Sequence, residues 1–580
     1  VNRKAGFRVW TAVLFLSFIS SVKGGEQFSA ALNIGFNGVY QVMAHTPVRI
    51  MIRNDGRGVD GDIIFRLIEN YSADETPVIK EYRKRVFIPE GSSTITVPVQ
   101  INNYRPGCRI VIRTDDLTLY DATFDLKGFP SDSPLIVGIS RNPSLDPLIS
   151  FVSGENSFPL VYPHPEILPN VWTGLSGAGL LIFHRIPSVP LADDQMNAVL
   201  NWTAAGGKVL IIGGASYSQE TQVLLNTLLP VRFKGFSELS GDIRVSNIVP
   251  PKEGNIFYHN GTIIGVRKNF GNGWITFLTF DPASAERSGG MRELWSKIFP
   301  EPVLTESSPR IPEPIIKDRI FTETGFTPRF IPTWPVIIIL GAFTIMLITL
   351  MLFPAPIFWT RISGAAALTL AAGFAVFFLF KLSGAVDTRF TRTVTVSYGG
   401  SGDALVTERH VHHGSVGETR FSFQIDKDSV FLPYPDQSGA LTLTADGASY
   451  YQDTLREPWN SRYYRSVGIA GERIEFDVTK KDGLYAVNLK EPEDLMLTEA
   501  VLFIHGEPYS MGVLKSGKEY AVDPLNQEHI RIPDPLKPYV EMFRMSDSWT
   551  ELTSTYEYLI AGLIDTGKLI MIGGNVVPSS

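Results

Sequence analysis

Three short stretches of the chain set charged or reactive side chains directly after an apolar run. His184 and Arg185 follow Leu180–Phe183, Gly213, Gly214 and Ser216 follow Lys208–Ile212, and Arg141 and Asn142 follow Leu135–Ser140. A serine near a histidine is raw material for nucleophilic catalysis, but such a serine normally stands on a sharp Gly-x-Ser-x-Gly turn. Ser216 lies in Gly-Gly-Ala-Ser and lacks the second flanking glycine. Arginines beside glycine turns suit a different task, gripping a carboxylate, phosphate or sugar acid with guanidinium and backbone N–H groups. Arg141, Asn142, His184, Arg185, Gly213, Gly214 and Ser216 are therefore the expected ligand-binding crevice, and no catalytic residue is assigned.

The other chemistry-bearing residues are few. The chain has one cysteine, Cys108, which excludes an intramolecular disulfide and a cysteine-based zinc cluster. It stands beside a strand-like run and reads as a small core residue. His410, His412 and His413 form the one histidine cluster. On a strand, His410 and His412 share a face with Glu408, an arrangement that offers imidazoles to a metal. A solvated strand accounts for the same residues, so no metal or other cofactor is expected, and His410 and His412 stay as the metal candidates.

The elements that must position these groups change along the chain. Residues 26–131 show short alternating runs such as Val48–Arg53, punctuated by Asn54-Asp55-Gly56 and Pro89-Glu90-Gly91. That pattern predicts an immunoglobulin-like β-sandwich. Residues 132–305 instead alternate continuous apolar strands with helical spacing, as in 193–205, where Gly206-Gly207 ends the helix. Such alternation predicts a parallel sheet covered on both faces, with ligands bound beyond the carboxyl ends of the strands.

The stretch LLIFHRIPSVPLADDQMNAVLNWTAAGGKVLIIGGAS, followed by GNGWITFLTFDP, resembles the class I glutamine-amidotransferase-like, flavodoxin-like domain of uncharacterised bacterial membrane proteins. The resemblance implies an exported domain of that fold beside β-rich modules and membrane spans. Cys108 lies outside the stretch, so the nucleophile of true amidotransferases is missing, and the resemblance implies a degenerate site.

Membrane signals complete the expectation. Arg3, Lys4 and Arg8 precede the uncharged run 9–22, which reads as a signal peptide over 1–25. A Pro-rich linker is expected over 306–333. The runs 334–353 and 362–380 carry no charge and as helices match a roughly 30 Å hydrocarbon core. They predict two transmembrane helices joined by a cytoplasmic loop at 354–361. Gly341 on the first and Ala367, Ala371 and Ala375 on the second are the small residues expected to pack that hairpin. Residues 386–580 return to strand-like patterning, expected to form a second β-rich, sandwich or jelly-roll-like domain on the outer face. The ending soon after the strand-like run 568–574 suggests a piece of something longer.

Charged residues make up 19% and the net charge is −7, which argues against a protein held to nucleic acid by a basic face. The main expectation is a non-enzymatic, membrane-anchored envelope protein of scaffold or sensor type. It would sit in a bacterial cytoplasmic membrane with extracytoplasmic domains, and its partners would be lipid, an envelope protein and a glycan. The alternatives are an accessory subunit of polysaccharide export or modification, using exposed Trp459, Tyr463 and Tyr464, and a cryptic hydrolase or transferase.

Overall fold

In the computed structural model, the described residues are 27–69, 78–102, 106–115, 117–141, 145–153, 158–187, 191–239, 243–251, 254–287, 290–300, 303–304, 341–349, 364, 366–371, 373–374, 389–400, 404–415, 419–425, 429–433, 439–443, 449–455, 460–481, 483–492, 494–504, 507–524, 532–533, 540, 558–564 and 568–574.

The first region is all strand: β1 (Phe28–Ile34), β2 (Val39–Gln41), β3 (His45–Asn54), β4 (Val59–Glu69), β5 (Val78–Ile88), β6 (Gly91–Gln100), β7 (Gly107–Thr114), β8 (Leu117–Asp125) and β9 (Phe129–Ser131). The period-2 alternation decides which side chains turn inward. β3 buries Val48, Ile50 and Ile52 and exposes Met51 and Arg53. These meet Ile63, Phe65 and Leu67 of β4 and Cys108, Ile110 and Ile112 of β7 in one core between the two sheets. The sheets run β1-β3-β6 and β5-β4-β7-β8.

The second sheet does not stop at β5. Gly439–Leu443, some 350 residues further along, lies parallel to β5 with Gly439 opposite Lys80 and Leu443 opposite Lys84. Ser449–Leu455 and Thr419–Ile425 extend it further, giving seven strands drawn from both ends of the chain.

The middle region carries the candidate site. Its strands are β10 (Leu135–Ile139), β11 (Leu160–Val161), β12 (Ala178–Phe183), β13 (Lys208–Ile212), β14 (Arg232–Glu238), β15 (Arg244–Val249), β16 (Asn255–His259), β17 (Thr262–Phe270) and β18 (Gly273–Leu278). Its helices are α1 (Asp146–Ser153), α2 (Asp193–Ala204), α3 (Gln219–Leu228), α4 (Pro282–Arg287) and α5 (Met291–Ile298). The sheet order is β11-β10-β12-β13-β18-β17-β16. β11, β10, β12, β13 and β18 are parallel, while β18, β17 and β16 form an antiparallel meander. Continuous apolar strands fit a sheet buried on both sides. Leu181, Phe183, Val209 and Ile211 face α2 and α3, and Leu180, Ile182, Leu210 and Ile212 face α1, α4 and α5. β14 and β15 stand apart as a two-stranded ribbon.

The last region is also β. Eight strands from Arg389–Gly400 to Lys568–Gly574 form its main sheet, with those two strands parallel neighbours at its centre. Val396, Tyr398 and Val406 of this sheet join the same core as Trp202 of α2.

Several expectations are corrected. The predicted fold class, a sandwich, a flavodoxin-like and glutamine-amidotransferase-like unit, a membrane hairpin and a second separate β domain, does not hold. The chain is largely β, in several sheets, and one of them joins its first and last regions. The middle sheet lacks the amidotransferase-like signature because it ends in an antiparallel meander and gives off a ribbon between α3 and β16. Among the described residues no helix is long and apolar enough to cross a membrane. The first run apart from 341–349, most of 362–380, Ala375, the linker 306–333, the loop 354–361 and the signal 1–25 lie outside the described residues. At Gly341 an added Cβ would meet nothing within 4 Å, so no close packing against Ala367 or Ala371 occurs there. The expected lipid and envelope partners, and the placement in a bacterial cytoplasmic membrane with extracytoplasmic domains, lose the feature on which they rested.

Candidate functional site

Three adjacent parallel strands, β12, β13 and β18, end side by side, and the loops leaving them meet in one buried polar cluster. Past β12, the His184 N–H still bonds the Ile139 carbonyl at 3.0 Å, which holds the ring at 1% exposure. The next residue, Arg185, adopts φ +43° and turns the chain away. For a non-glycine residue that left-handed conformation is uncommon. Its carbonyl accepts from the Arg141 N–H at 3.1 Å, tying two strand ends together.

Past β13, the Gly213 N–H bonds the Leu278 carbonyl at 2.8 Å and the Gly214 N–H bonds Ser246 Oγ of β15 at 2.9 Å. Gly214 has φ +61°, and a Cβ there would lie 2.6 Å from both the Arg244 carbonyl oxygen and the Asp281 nitrogen. Only glycine fits so close a crossing of three loops. The short turn Gly214–Ser216 then presents Ser216 Oγ inward.

Past β18 comes Asp281, followed by Pro282 at the first position of α4. The Ala283 N–H donates to Asp281 Oδ1 at 3.0 Å and the Ala285 N–H to its carbonyl at 3.1 Å. Asp281 is thus the N-cap of α4, and proline at the next position suits a helix start. Its other oxygen, Oδ2, accepts from Ser216 Oγ–H in a very short bond and from Arg185 Nη2 at 3.3 Å, with His184 Nε2 3.6 Å away. Burial alone would raise the Asp281 carboxyl. The nearby His184 ring and the Ser216 bond together outweigh burial and hold it well below the usual carboxylate range, so it is ionised.

A donor count then assigns the cluster. A serine hydroxyl has one proton and two lone pairs. The proton goes to the Asp281 carboxylate, which has none to give. One lone pair accepts from Arg185 Nε at 3.2 Å, and the other faces His184 Nε2 at 2.9 Å. His184 Nε2 therefore carries hydrogen and donates. A serine nucleophile needs the opposite polarity, with the imidazole accepting its proton. In this arrangement Ser216 is fully engaged as a bridge. His184 Nδ1 is buried without a hydrogen-bond partner among the described residues, and Arg185 remains 37% exposed.

The structure thus brings together His184, Arg185, Gly213, Gly214 and Ser216. Arg141 stands beside them, with its guanidinium 3.8 Å from Glu220 at the start of α3, and Asn142 lies outside the described residues. The N–H groups of Gly213 and Gly214 are spent on protein partners. Sequence reasoning missed Asp281. The signal was present, since an aspartate before proline after an apolar strand reads as a helix N-cap.

The histidine cluster of the last region holds no metal site among the described residues. Glu408 accepts from Tyr398 Oη at 2.6 Å and Arg465 Nη2 at 2.6 Å, and His410 Nε2 lies 3.3 Å away. Burial raises the Glu408 carboxyl, but Arg465 and His410 outweigh it and pull it well below its ordinary value. This carboxylate is committed to an internal ion network. The side chains of His412 and Tyr463, and all of Trp459, lie outside the described residues; Tyr464 is buried at 1% exposure.

A family model described as "Domain of unknown function (DUF8726)" matches residues 27–127, which covers the first region alone. No curated protein matches the chain. Among solved structures, a cycloisomaltooligosaccharide glucanotransferase of Paenibacillus sp., crystallised with cycloisomaltoheptaose, is similar over 76% of this chain and 69% of its own, at 10% identity and a TM-score of 0.15. A likeness at that score carries neither fold nor function. None of these comparisons supports the resemblance to exported amidotransferase-like membrane proteins, which is withdrawn.

Proposed function

We propose that the chain is an accessory protein of polysaccharide modification or export, in which the carboxyl edge of the middle sheet recognises an anionic group of the ligand. The observation that carries the reading is the tethering of Arg185. Ser216 takes its Nε and Asp281 takes one Nη, while the side chain stays 37% exposed. A guanidinium fixed in this way loses little freedom on pairing with a planar carboxylate or a phosphate. The buried Ser216–Asp281 pair acts as its mount.

Isothermal titration of the full chain with tetragalacturonate, against maltotetraose as the neutral control, tests the reading. Binding of the acidic oligosaccharide, weakened about tenfold or more by Arg185→Gln as expected for a charge-assisted contact, supports it. Equal affinity of the wild-type chain for both sugars, or an unaffected Arg185→Gln variant, refutes it.

A second reading, a cryptic hydrolase or transferase, has one observation in its favour. The bare Nδ1 of His184 leaves room for the other tautomer, which would free Nε2 to act as a base toward Ser216. Labelling by a fluorophosphonate, abolished by Ser216→Ala, would favour it over the recognition reading.

A further inference from the structure

The ribbon β14–β15 is tied to the candidate site through Ser246 of β15, and its strands are paired across an irregularity. Its register slips between Phe233 and Gly235, so that Phe233 stands opposite Ile248 and Phe236 opposite Ser246. Lys234 is the extra residue of a β-bulge. Without the bulge, residues three apart would point to opposite faces. With it, Phe233 and Phe236 share the face that carries Ser246, whose hydroxyl accepts from Gly214 of the candidate site.

Tyr217, the residue after Ser216, receives that face. Its ring stacks on Phe233 with centroids 4.2 Å apart and meets Phe236 edge-on at 6.2 Å. The Tyr217 hydroxyl donates to Gln222 of α3 in a short bond, which fixes the ring. Phe236 stays 39% exposed at the rim. The Arg244 guanidinium lies 3.7 Å from the Phe236 ring centre, and Arg244 itself is exposed. Stacking of this kind pre-orders a cation without burying it. The Gly214–Ser216 turn links the two arginines: Ser216 Oγ accepts from Arg185 Nε, and Gly214 lies against the Arg244 backbone carbonyl.

We propose that the Tyr217–Phe233–Phe236 shelf with Arg244 is a second subsite, which takes a further sugar-acid unit of the ligand whose first carboxylate pairs with Arg185. A pyranose ring offers its C–H face to the π face of an aromatic ring while its hydroxyls and carboxylate stay in water or on a guanidinium. This subsite rests on the reading of the Arg185 edge given above and adds to it the class of ligand: an acidic oligosaccharide of two or more units, as opposed to an isolated anion.

The test is titration of the full chain with tetragalacturonate and with monomeric galacturonate, using the Phe236→Ala, Arg244→Gln and Arg185→Gln variants. Arg244→Gln changes an exposed side chain and leaves the aromatic packing intact, so it reports even if Phe236→Ala melts early. We expect Phe236→Ala and Arg244→Gln each to weaken the tetramer by about tenfold, the size of one cation–π or charge-assisted contact, with monomer binding unchanged. Tetramer binding that responds to Arg185→Gln alone overturns the subsite and leaves the Arg185 reading standing. Binding that responds to Arg244→Gln but not Arg185→Gln overturns the Arg185 reading and with it the two-subsite assignment, and leaves the shelf alone as the sugar-acid site. Tighter binding of a single-stranded oligonucleotide than of tetragalacturonate overturns the assignment to sugar acids.

Discussion

Replacement of Asp281 by asparagine tests whether the strand-end cluster is a mount held by one buried carboxylate. Asparagine has the same shape and is an equally good helix N-cap, so the bond to Ala283 survives. What changes is Oδ2, which accepts from Ser216 and Arg185 and lies near His184. Breaking a buried ion pair costs about 3–5 kcal/mol, and an exposed one about 0–1. Asp281 is 1% exposed but Arg185 is 37% exposed and can turn to water, so the discounted cost is about 2–3 kcal/mol. For a unit of this size that corresponds to a melting shift of about 5–10 °C. Thermal unfolding followed by tryptophan fluorescence reads it, since Trp172 and Trp202 are buried in the same unit. The penalty must also depend on pH. The folded carboxyl is held below its ordinary value of 3.8, so its stabilisation is present above that value and is lost as pH falls through the folded value. The gap between wild type and Asp281→Asn should therefore narrow on acidification below about pH 4. A variant that melts within about 1 °C of wild type at neutral pH, or a gap that widens in acid, would refute the carboxylate mount.

Further outcomes are expected from the same physics. Gly214→Ala should destabilise the middle region by about 2 kcal/mol or more, because it combines φ +61° with contacts of 2.6 Å; urea unfolding checks this. His45 is buried and its ring is held down to about 3, by burial first and by the Lys80 charge second. The unfolded chain takes up that proton near 6.5 while the folded chain does not, so stability should fall by up to about 1.4 kcal/mol per pH unit between those values. His45→Gln should flatten that slope in a pH series of melts. Burial pushes the Cys108 thiol up to about 12, so a maleimide at neutral pH should label it only after denaturation. Ser216→Ala should weaken the cluster by about 1–3 kcal/mol, and in a cycle with Asp281→Asn the two losses should not add, because they share one bond.

Much of the site was legible in the residues, and part of the fold. Continuous apolar runs ending in His184-Arg185 and in Gly213-Gly214 mark strand ends, because a strand buried on both faces must be apolar throughout and must stop where polar side chains begin. The alternation in 48–53 likewise states which side chains turn inward. Two long uncharged runs read as spans, yet among the described residues no helix is long and apolar enough to cross a membrane. The amidotransferase-like reading failed because local strand–helix alternation does not report how the far half of the sheet is paired.

What the sequence determined by itself is the set of strand edges and the side chains carried there. Only the tertiary structure decided which edges are neighbours. Asp281 lies 65 residues beyond Ser216, and it reaches that hydroxyl because β18 inserts beside β13 after the chain has left through a ribbon and a meander. In the same way Gly439–Leu443 joins β5 across a distance that no local pattern encodes. The physical reason is that hydrophobic periodicity fixes the face a strand buries, whereas its partner is chosen by the packing of the whole chain.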